Sequence, residues 1–154
     1  MAVSVVGTWR LVSCEGRSSE GDVSRPFGHA PVGFLIYGAD GYMSVSLMRP
    51  GLPHFASGDR LRGSAEEVRL AREGFNAYCG TYEVDEARGT VVHHVAASDF
   101  PNYVGIDLVR RFTLEHGALA LETPPVVRDG KTSTFRLVWT PATERQTDGR
   151  EAPR

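Results

Sequence analysis

Apolar and polar residues alternate with a period of two along most of the chain. In the opening segment Trp9 and Leu11 share one face, opposite Arg10 and Val12, as in a strand with one side buried. Similar segments follow, and residues that favour turns separate them. The sequence therefore predicts eight strands, at 7–15, 32–37, 42–47, 78–84, 90–98, 107–114, 118–122 and 134–140.

One segment has the spacing of a helix instead. Ser64 and Glu67 fit a capping box, in which each side chain satisfies a backbone N–H at the start of a helix. Val68 and Phe75 then follow on one side of that helix. The sequence predicts one short helix over 64–77 that covers the barrel or its mouth.

Short strands joined by tight turns indicate an all-β protein. They favour an eight-stranded up-and-down antiparallel β-barrel, because closure removes exposed strand edges. A two-sheet sandwich is the alternative, although the succession of hairpins favours the barrel. We expect residues 1–140 to form this domain, and the polar, aperiodic residues 141–154 to form a flexible tail.

Composition and charge indicate which classes of partner and which location to expect. A formal charge of -2 offers no basic field, so we expect no nucleic-acid partner. No apolar run approaches the roughly 20 residues of a membrane helix, and the start lacks signal-peptide features, which predicts a cytoplasmic protein with no membrane partner. All but one of the 17 basic residues are arginines, which favours a bacterial source. Cys14 and Cys79 are too few for a disulfide framework and are expected to be buried thiols.

Several motifs resemble those of a known family. Gly7-x-Trp9 resembles the start of the first strand in lipocalins and fatty-acid-binding proteins. The further motifs are Asp40-Gly41-Tyr42-Met43-Ser44, Tyr78-Cys79-Gly80-Thr81-Tyr82-Glu83-Val84-Asp85, Val92-His93-His94-Val95, Phe100-Pro101-Asn102 and Leu137-Val138-Trp139. In this order the sequence resembles the bacterial and fungal lipocalin-like domain family, from about Gly7 to Thr140. The resemblance implies a small-molecule barrel and a link to secondary metabolism, but it supplies no set of catalytic residues.

Two adjacent histidines, His93 and His94, lie on one predicted strand, so only one can face the barrel interior. A metal site needs three or four converging ligands, which strand neighbours do not supply, so no metal is expected. Each imidazole could be satisfied by a neighbouring polar group in a purely structural role. The inward histidine could instead be an acid–base group, because its ordinary pKa near 6.5 suits proton transfer. We assign the catalytic role to His94.

Arg110 shares a strand face with apolar residues such as Leu108. A buried guanidinium costs several kcal/mol unless a carboxylate or an anionic ligand pairs with it. The partner is either Glu83 or Glu122, or else a carboxylate, enolate or carbonyl of a ligand. With the opposite strand phase, Arg111 takes this role. We assign Arg110 as the second catalytic residue, close to the histidine because consecutive strands of a meander usually pair.

A further set of residues is expected to line the ligand site. These residues are Tyr42, Ser44, Tyr78, Tyr82, His93, Asn102, Phe112 and Trp139. The tyrosines could offer a phenol to the ligand or fill core volume. Asn102 could donate to a ligand at the mouth or bond to its own turn.

The chemistry available to these residues limits the reaction. No Gly-rich phosphate loop opens a helix, so no nucleotide cofactor is expected, and none of another kind is predicted. The sequence favours a cofactor-independent isomerase or cyclase, or a dehydratase, of secondary metabolism, relying on acid–base and electrostatic catalysis. The alternative is a noncatalytic binding or carrier protein, and a structural interaction module would require a filled barrel and an exposed apolar patch. The expected partner is a small apolar organic ligand, with a homodimer left open.

Overall fold

The computed structural model of the protein describes residues 4–143 as ten strands and one helix. The strands are β1 (Gly7–Ser18), β2 (Val23–Ser24), β3 (Val32–Tyr37), β4 (Tyr42–Met48), β5 (Phe75–Asp85), β6 (Thr90–Ser98), β7 (Asp107–Glu115), β8 (Ala118–Glu122), β9 (Val126–Arg128) and β10 (Lys131–Pro141). The helix α1 (Ala65–Glu73) lies between β4 and β5. A 3₁₀ turn, Pro101–Tyr103, lies between β6 and β7. All eight predicted strands are present, and the two additional strands, β2 and β9, are too short to show an alternating pattern.

Hydrogen bonds join the strands into one closed antiparallel sheet. The strand order is β2-β1-β3-β4-β5-β6-β7-β8-β10-β9, and β1 also pairs with β10. That last pairing closes eight strands into a barrel and leaves β2 and β9 as short additions beside it. The predicted lipocalin-like barrel is confirmed, because in a sandwich the first and last long strands would not close a continuous ladder.

Strand alternation fills the interior as the sequence pattern predicts. On β3, Leu35 and Tyr37 are buried, whereas Phe34 and Ile36, which alternate with them, are exposed. On β6 the buried row includes His93, which is only 1% exposed. Burial of the apolar inward residues supplies most of the favourable free energy of folding, at about 25 cal/mol for each Å² removed from water. The same alternation therefore builds the core and selects the side chains that reach the interior.

One end of the barrel is closed by aromatic side chains near the hairpin between β3 and β4. Gly41 in this hairpin has a φ of +91°, a conformation that favours glycine. Tyr37 and Tyr82 pack against each other here, with ring centroids 4.6 Å apart and ring planes tilted by 49°. Trp9 is buried on β1, and its indole Nε1 donates a hydrogen bond of 2.8 Å to the Val5 carbonyl. These contacts leave the opposite end, which carries the longer connections, as the entrance.

The helix begins as predicted but ends earlier. Ser64 and Glu67 form the full capping box, with hydrogen bonds of 2.8 and 3.1 Å. The Gly74 N–H bonds to the Leu70 carbonyl, and the chain then enters β5. The prediction that the helix extends to 77 was wrong, because Phe75 is the first residue of a strand paired with β4. Within α1 no residue is buried, so the helix contributes little to the core.

The two cysteines differ in burial. Cys14 is buried and Cys79 is exposed, so the expectation of two buried thiols was half wrong; both cysteines are free.

Most of the predicted tail, 144–154, lies outside the described residues, and Pro141 at its start is the last residue of β10. No helix among the described residues is long and apolar enough to cross a membrane. The cytoplasmic location and the homodimer stay predictions.

Candidate functional site

The barrel contains a cavity of about 330 Å³ that reaches the end with the longer connections. Its volume is within the range of about 300 to 1,000 Å³ typical of small-molecule sites. The wall is mainly apolar and includes Leu35, Val45, Leu47, Leu121, Phe135 and Leu137. The interior is therefore not filled by side chains, so one of the two conditions for a structural interaction module, a filled barrel, is not met.

Aromatic side chains and arginines surround the mouth of the cavity. The aromatic residues are Phe27, Phe75, Phe100 and Tyr103. The Arg128 guanidinium lies 5.6 Å from the Phe27 ring centroid, and that of Arg72 lies 5.8 Å from the Phe100 ring centroid. Because Arg72 belongs to α1 and lines the cavity, the helix lies at the mouth as predicted. Cation–π contacts of this kind join Arg72 of α1 and Arg128 of β9 to aromatic residues of separate loops.

His93 is at the inner end of the cavity, between two tyrosines. Its Nε2 lies 2.6 Å from the hydroxyl of Tyr37, and its Nδ1 lies 2.7 Å from the hydroxyl of Tyr78. Tyr78 lines the cavity with His93, whereas Tyr37 is beyond the lining and only 1% exposed. Burial, followed by the nearby charge of Arg110, lowers the pKa of His93 to about 3. The imidazole is therefore neutral at pH 7, with one N–H and one acceptor nitrogen.

Arg110 lines the same inner end and is only 8% exposed. Its Nη1 donates a hydrogen bond of 3.1 Å to the Val109 carbonyl, its guanidinium lies beside the Tyr78 hydroxyl, and no carboxylate within residues 4–143 forms a salt bridge with it. Burial raises the pKa of Tyr78, and the adjacent Arg110 guanidinium opposes that shift. The structure thus leaves a buried positive charge facing a cavity, with most of its five N–H donors available.

Strand register explains why His93 and Arg110 meet. β6 and β7 pair antiparallel with His93 opposite Leu108 and Val91 opposite Arg110. Directly opposite residues share a sheet face, so the apolar phase of β7 also fixes the phase of β6. The prediction that one of the two histidines and one of the two arginines approach the same cavity is met by His93 and Arg110.

One residue of the cavity wall, Trp139, contains a buried hydrogen-bond donor. The indole Nε1 of Trp139 is buried and has no hydrogen-bond acceptor among the described residues. Trp139 is 1% exposed and lines the cavity. A buried N–H without an acceptor costs about 1 to 3 kcal/mol, so this indole reduces the stability of the ligand-free protein.

The assignment of the catalytic role to His94 required the wrong strand phase. His94 lies on the outer face of β6, where its Nδ1 is 2.6 Å from Asp107 and its Nε2 is 3.4 Å from Glu83. A hydrogen bond with Asp107, then one with Glu83, raises the pKa of His94 despite some opposing desolvation. Arg111 is exposed on the outer face of β7. Neither residue lines the interior cavity.

The carboxylates considered as partners of Arg110 are elsewhere. Glu83 is on the outer face with His94, and Glu122 accepts a hydrogen bond of 3.0 Å from Arg136. Strand alternation directs both carboxylates away from the interior row that contains Arg110. The structural pairing suggested for Arg110 was therefore wrong for both residues.

The remaining predicted ligand residues fall into three groups. Tyr78, His93 and Trp139 line the cavity. Tyr82 and Phe112 pack against the core beyond the lining, and the Tyr82 hydroxyl donates to the Gly38 carbonyl at 2.7 Å. The residues that do not reach the interior are Tyr42, Ser44 and Asn102, which are exposed. Tyr42 and Ser44 occupy the outward row of β4, and Asn102 lies in the 3₁₀ turn.

Sequence reasoning missed Tyr37 and most of the mouth. Tyr37 continues the inward row of Leu35, so the alternation of β3 was a signal that could have identified it. Phe27 and Phe100 lie in connections without periodicity, and no local pattern predicts which side chain of such a loop turns inward. Arg72 could not be identified because it is a polar residue of a helix, and the position of that helix depends on the folded barrel.

The site offers little to a metal ion. Within residues 4–143 no group of three or more His, Cys, Asp or Glu side chains could hold one. Among the residues that line the cavity, His93 is the histidine, and both of its ring nitrogens are engaged by tyrosine hydroxyls. The inner end is instead a set of hydrogen-bonding groups in an apolar enclosure.

A closed eight-stranded barrel with an internal cavity and an aromatic mouth defines the class of protein. The model of the lipocalin-like domain family matches residues 6–142, and the chain belongs to that family. A curated relative from Aspergillus oryzae, the 4'-hydroxy-3'-methoxypropiophenone carrier protein ppsC, is 32% identical over 104 residues. That match covers 63% of this chain and 94% of the relative.

Proposed function

We propose that this chain binds an apolar organic molecule inside the barrel and holds an oxygen atom of that molecule on Arg110. The observation that carries the proposal is the buried guanidinium, which faces the cavity without a carboxylate partner among the described residues. Burial of an unpaired charge costs several kcal/mol, and a ligand oxygen that accepts its hydrogen bonds would offset that cost. The apolar wall would bury the rest of the ligand.

The relative's name supports an aromatic ketone as the ligand class. The compound in that name, 4'-hydroxy-3'-methoxypropiophenone, combines an aromatic ring with a carbonyl oxygen. A ring suits the apolar wall, and a carbonyl suits the donors at the inner end. We propose that the protein carries or sequesters such a molecule, as the binding alternative from the sequence suggested.

Calorimetric titration with 4'-hydroxy-3'-methoxypropiophenone tests this function. Val45 lines the cavity and Ser46, its neighbour, is exposed, so V45F and S46F form a matched pair. We expect saturable binding by the unchanged protein and by S46F, and loss of binding by V45F with its far-ultraviolet circular dichroism retained. Binding that V45F leaves unchanged, or that no variant shows, would refute a cavity site for this ligand class.

A binding role is favoured over histidine acid–base catalysis by the environment of His93. A general base works best when its pKa lies near the operating pH. The pKa of about 3 makes His93 a weak base at neutral pH. His94 has its pKa raised, but it lies on the outer face and does not line the interior cavity. Neither histidine supports the acid–base role that the sequence suggested.

A cofactor-independent isomerase or cyclase is the second candidate. The observation that favours it is the Tyr78 phenol beside the Arg110 guanidinium. Two donors directed at one carbonyl oxygen would stabilise the negative charge that grows there as an enolate forms, and the Asp99 carboxylate, which also lines the cavity, would take the proton from the neighbouring carbon. Proton NMR in D₂O tests this activity, because enolate formation exchanges the hydrogens on the carbon next to the carbonyl. Exchange faster than in buffer supports the enzyme, whereas binding without faster exchange supports the carrier.

A further inference from the structure

Tyr37, His93 and Tyr78 form a buried chain of hydrogen bonds whose direction can be derived. His93 lies in the middle, with Nε2 2.6 Å from Tyr37 and Nδ1 2.7 Å from Tyr78. The neutral ring carries a single N–H, so it donates to one hydroxyl and accepts from the other. The chain therefore has two forms, which differ in the nitrogen that holds the hydrogen.

Tyr37 distinguishes the two forms. Among the described residues its hydroxyl has one hydrogen-bond partner, His93, and the residue is 1% exposed. If Nε2 carried the hydrogen, it would donate to Tyr37, and the Tyr37 O–H would be buried without an acceptor, at about 1 to 3 kcal/mol. If Nδ1 carries the hydrogen, Tyr37 donates to Nε2 and this loss is avoided. The favoured form is therefore the Nδ1–H tautomer.

The tautomer determines what Tyr78 can offer to the cavity. When Nδ1–H donates to the Tyr78 oxygen, the Tyr78 O–H is released from His93 and becomes available to the space that Tyr78 lines. In the Nε2–H tautomer this O–H would donate to Nδ1 and would not be available to the cavity. Arg110, which lines the same end of the cavity, offers only donors. Two donors, the Arg110 guanidinium and the Tyr78 hydroxyl, would then line the inner end of one cavity.

We propose that Tyr37, acting through His93, sets the Tyr78 hydroxyl as a hydrogen-bond donor, so that the inner end selects ligands with an acceptor oxygen such as a carbonyl. This inference rests on the proposed function and assigns Tyr37 a positioning role without ligand contact. Tyr37 is a specificity determinant because it fixes the direction of the chain. A ligand of the same shape without the oxygen would leave these donors unpaired.

The first test is the tautomer itself. Nitrogen-15 NMR of histidine-labelled protein distinguishes Nδ1–H from Nε2–H by the chemical shifts of the two ring nitrogens. We expect Nδ1–H at His93 in the unchanged protein, and a shift toward the Nε2–H form in Y37F. Y82F is the matched control, because the Tyr82 hydroxyl bonds to Gly38 rather than to His93. An Nε2–H ring in the unchanged protein overturns the proposal, and that measurement needs no variant to fold.

The second test is ligand discrimination with propiophenone and propylbenzene, which share a skeleton and differ in the carbonyl oxygen. We expect the unchanged protein and Y82F to prefer the ketone, Y78F to lose about tenfold of that preference, and Y37F to lose part of it. A preference that Y37F leaves unchanged overturns the positioning role. Failure of both compounds to bind counts against the proposed function, while the NMR result still decides the tautomer. Ketone binding with an Nε2–H ring supports the function and overturns only this inference.

Discussion

The two faces of β6 and β7 carry the same pair of residue types in opposite environments. His93 and Arg110 face the cavity, while His94 and Arg111, the next residues along each strand, face outward. Burial and the nearby Arg110 charge lower the pKa of His93, whereas hydrogen bonds with Asp107 and Glu83 raise that of His94. Residue type alone thus says little about chemistry in a barrel strand. The strand face that a residue occupies decides whether its side chain is buried and in which direction its pKa shifts.

The two arginines differ in the free energy that their charges cost. Arg111 is exposed and hydrated, so its charge costs little. Arg110 is buried without a carboxylate within the described residues, so its charge reduces the stability of the ligand-free protein. A position that weakens the fold while facing a cavity is more simply explained by ligand binding than by packing.

The largest effect that should separate the faces is the pH dependence of stability at the two histidines. Between about pH 6.5 and 3 the unfolded chain binds a proton at position 93 that the folded chain excludes, so stability falls as pH falls. The full contribution is on the order of 5 kcal/mol. Urea unfolding from pH 7 to 4 should show a shallower loss of stability in H93Q than in the unchanged protein.

His94 should show the opposite sign. Its raised folded pKa means that the stabilising contacts with Asp107 and Glu83 are fully present below the unfolded pKa and weaken as pH rises through the folded value. H94Q should therefore lose stability at pH 6 relative to the unchanged protein, and less so at pH 8. Identical pH profiles for H93Q and H94Q would contradict the assignment of opposite environments.

The next effect concerns the arginines in the absence of ligand. R110M replaces a buried charge by a shorter, unbranched apolar side chain and should raise the free energy of unfolding by roughly 1 to 4 kcal/mol. R111M should change it by less than about 0.5 kcal/mol, as is usual at exposed positions. Thermal and urea unfolding measure both. Destabilisation by R110M would indicate a carboxylate partner for Arg110 in solution.

The smallest effect on stability is expected at the two cysteines, which also occupy opposite faces. Cys14 lines the cavity, and burial raises the pKa of its thiol to about 12. Cys79 is exposed on β5. Iodoacetamide should alkylate Cys79 and spare Cys14 in the native protein, and mass spectrometry identifies the modified peptide. C79S should unfold with the same midpoint as the unchanged protein, and modification at Cys14 under native conditions would contradict the buried assignment.

Local sequence predicted the strands because a period of two and the turn residues between strands are both visible without tertiary information. It also predicted the capping box at Ser64, since the hydrogen bonds involved span only three residues. The phase of β6 was a different problem. Val91, His93 and Val95 form one row, and Val92, His94 and Ala96 form the other, and the two rows are almost equally apolar. The choice needed the pairing of His93 with Leu108.

The mouth and the inner chain could not be derived in the same way. Phe27 and Phe100 come from loops whose direction depends on the whole barrel. Tyr37 was within reach of the alternation, but its contact with His93 joins residues 56 positions apart. A sequence pattern predicts the face of a strand on which a residue lies, and long-range packing decides which residues of that face meet.

The affinity of propiophenone for R110M and R111M tests the central claim most directly, because the substitutions are chemically identical and differ only in face. Isothermal titration should give R111M the affinity of the unchanged protein within about twofold. R110M should bind at least about tenfold more weakly, since hydrogen bonds from a charged group contribute about 1.5 to 3 kcal/mol. Equal affinities for the two variants would contradict the claim that Arg110 holds a ligand oxygen at the inner end of the cavity.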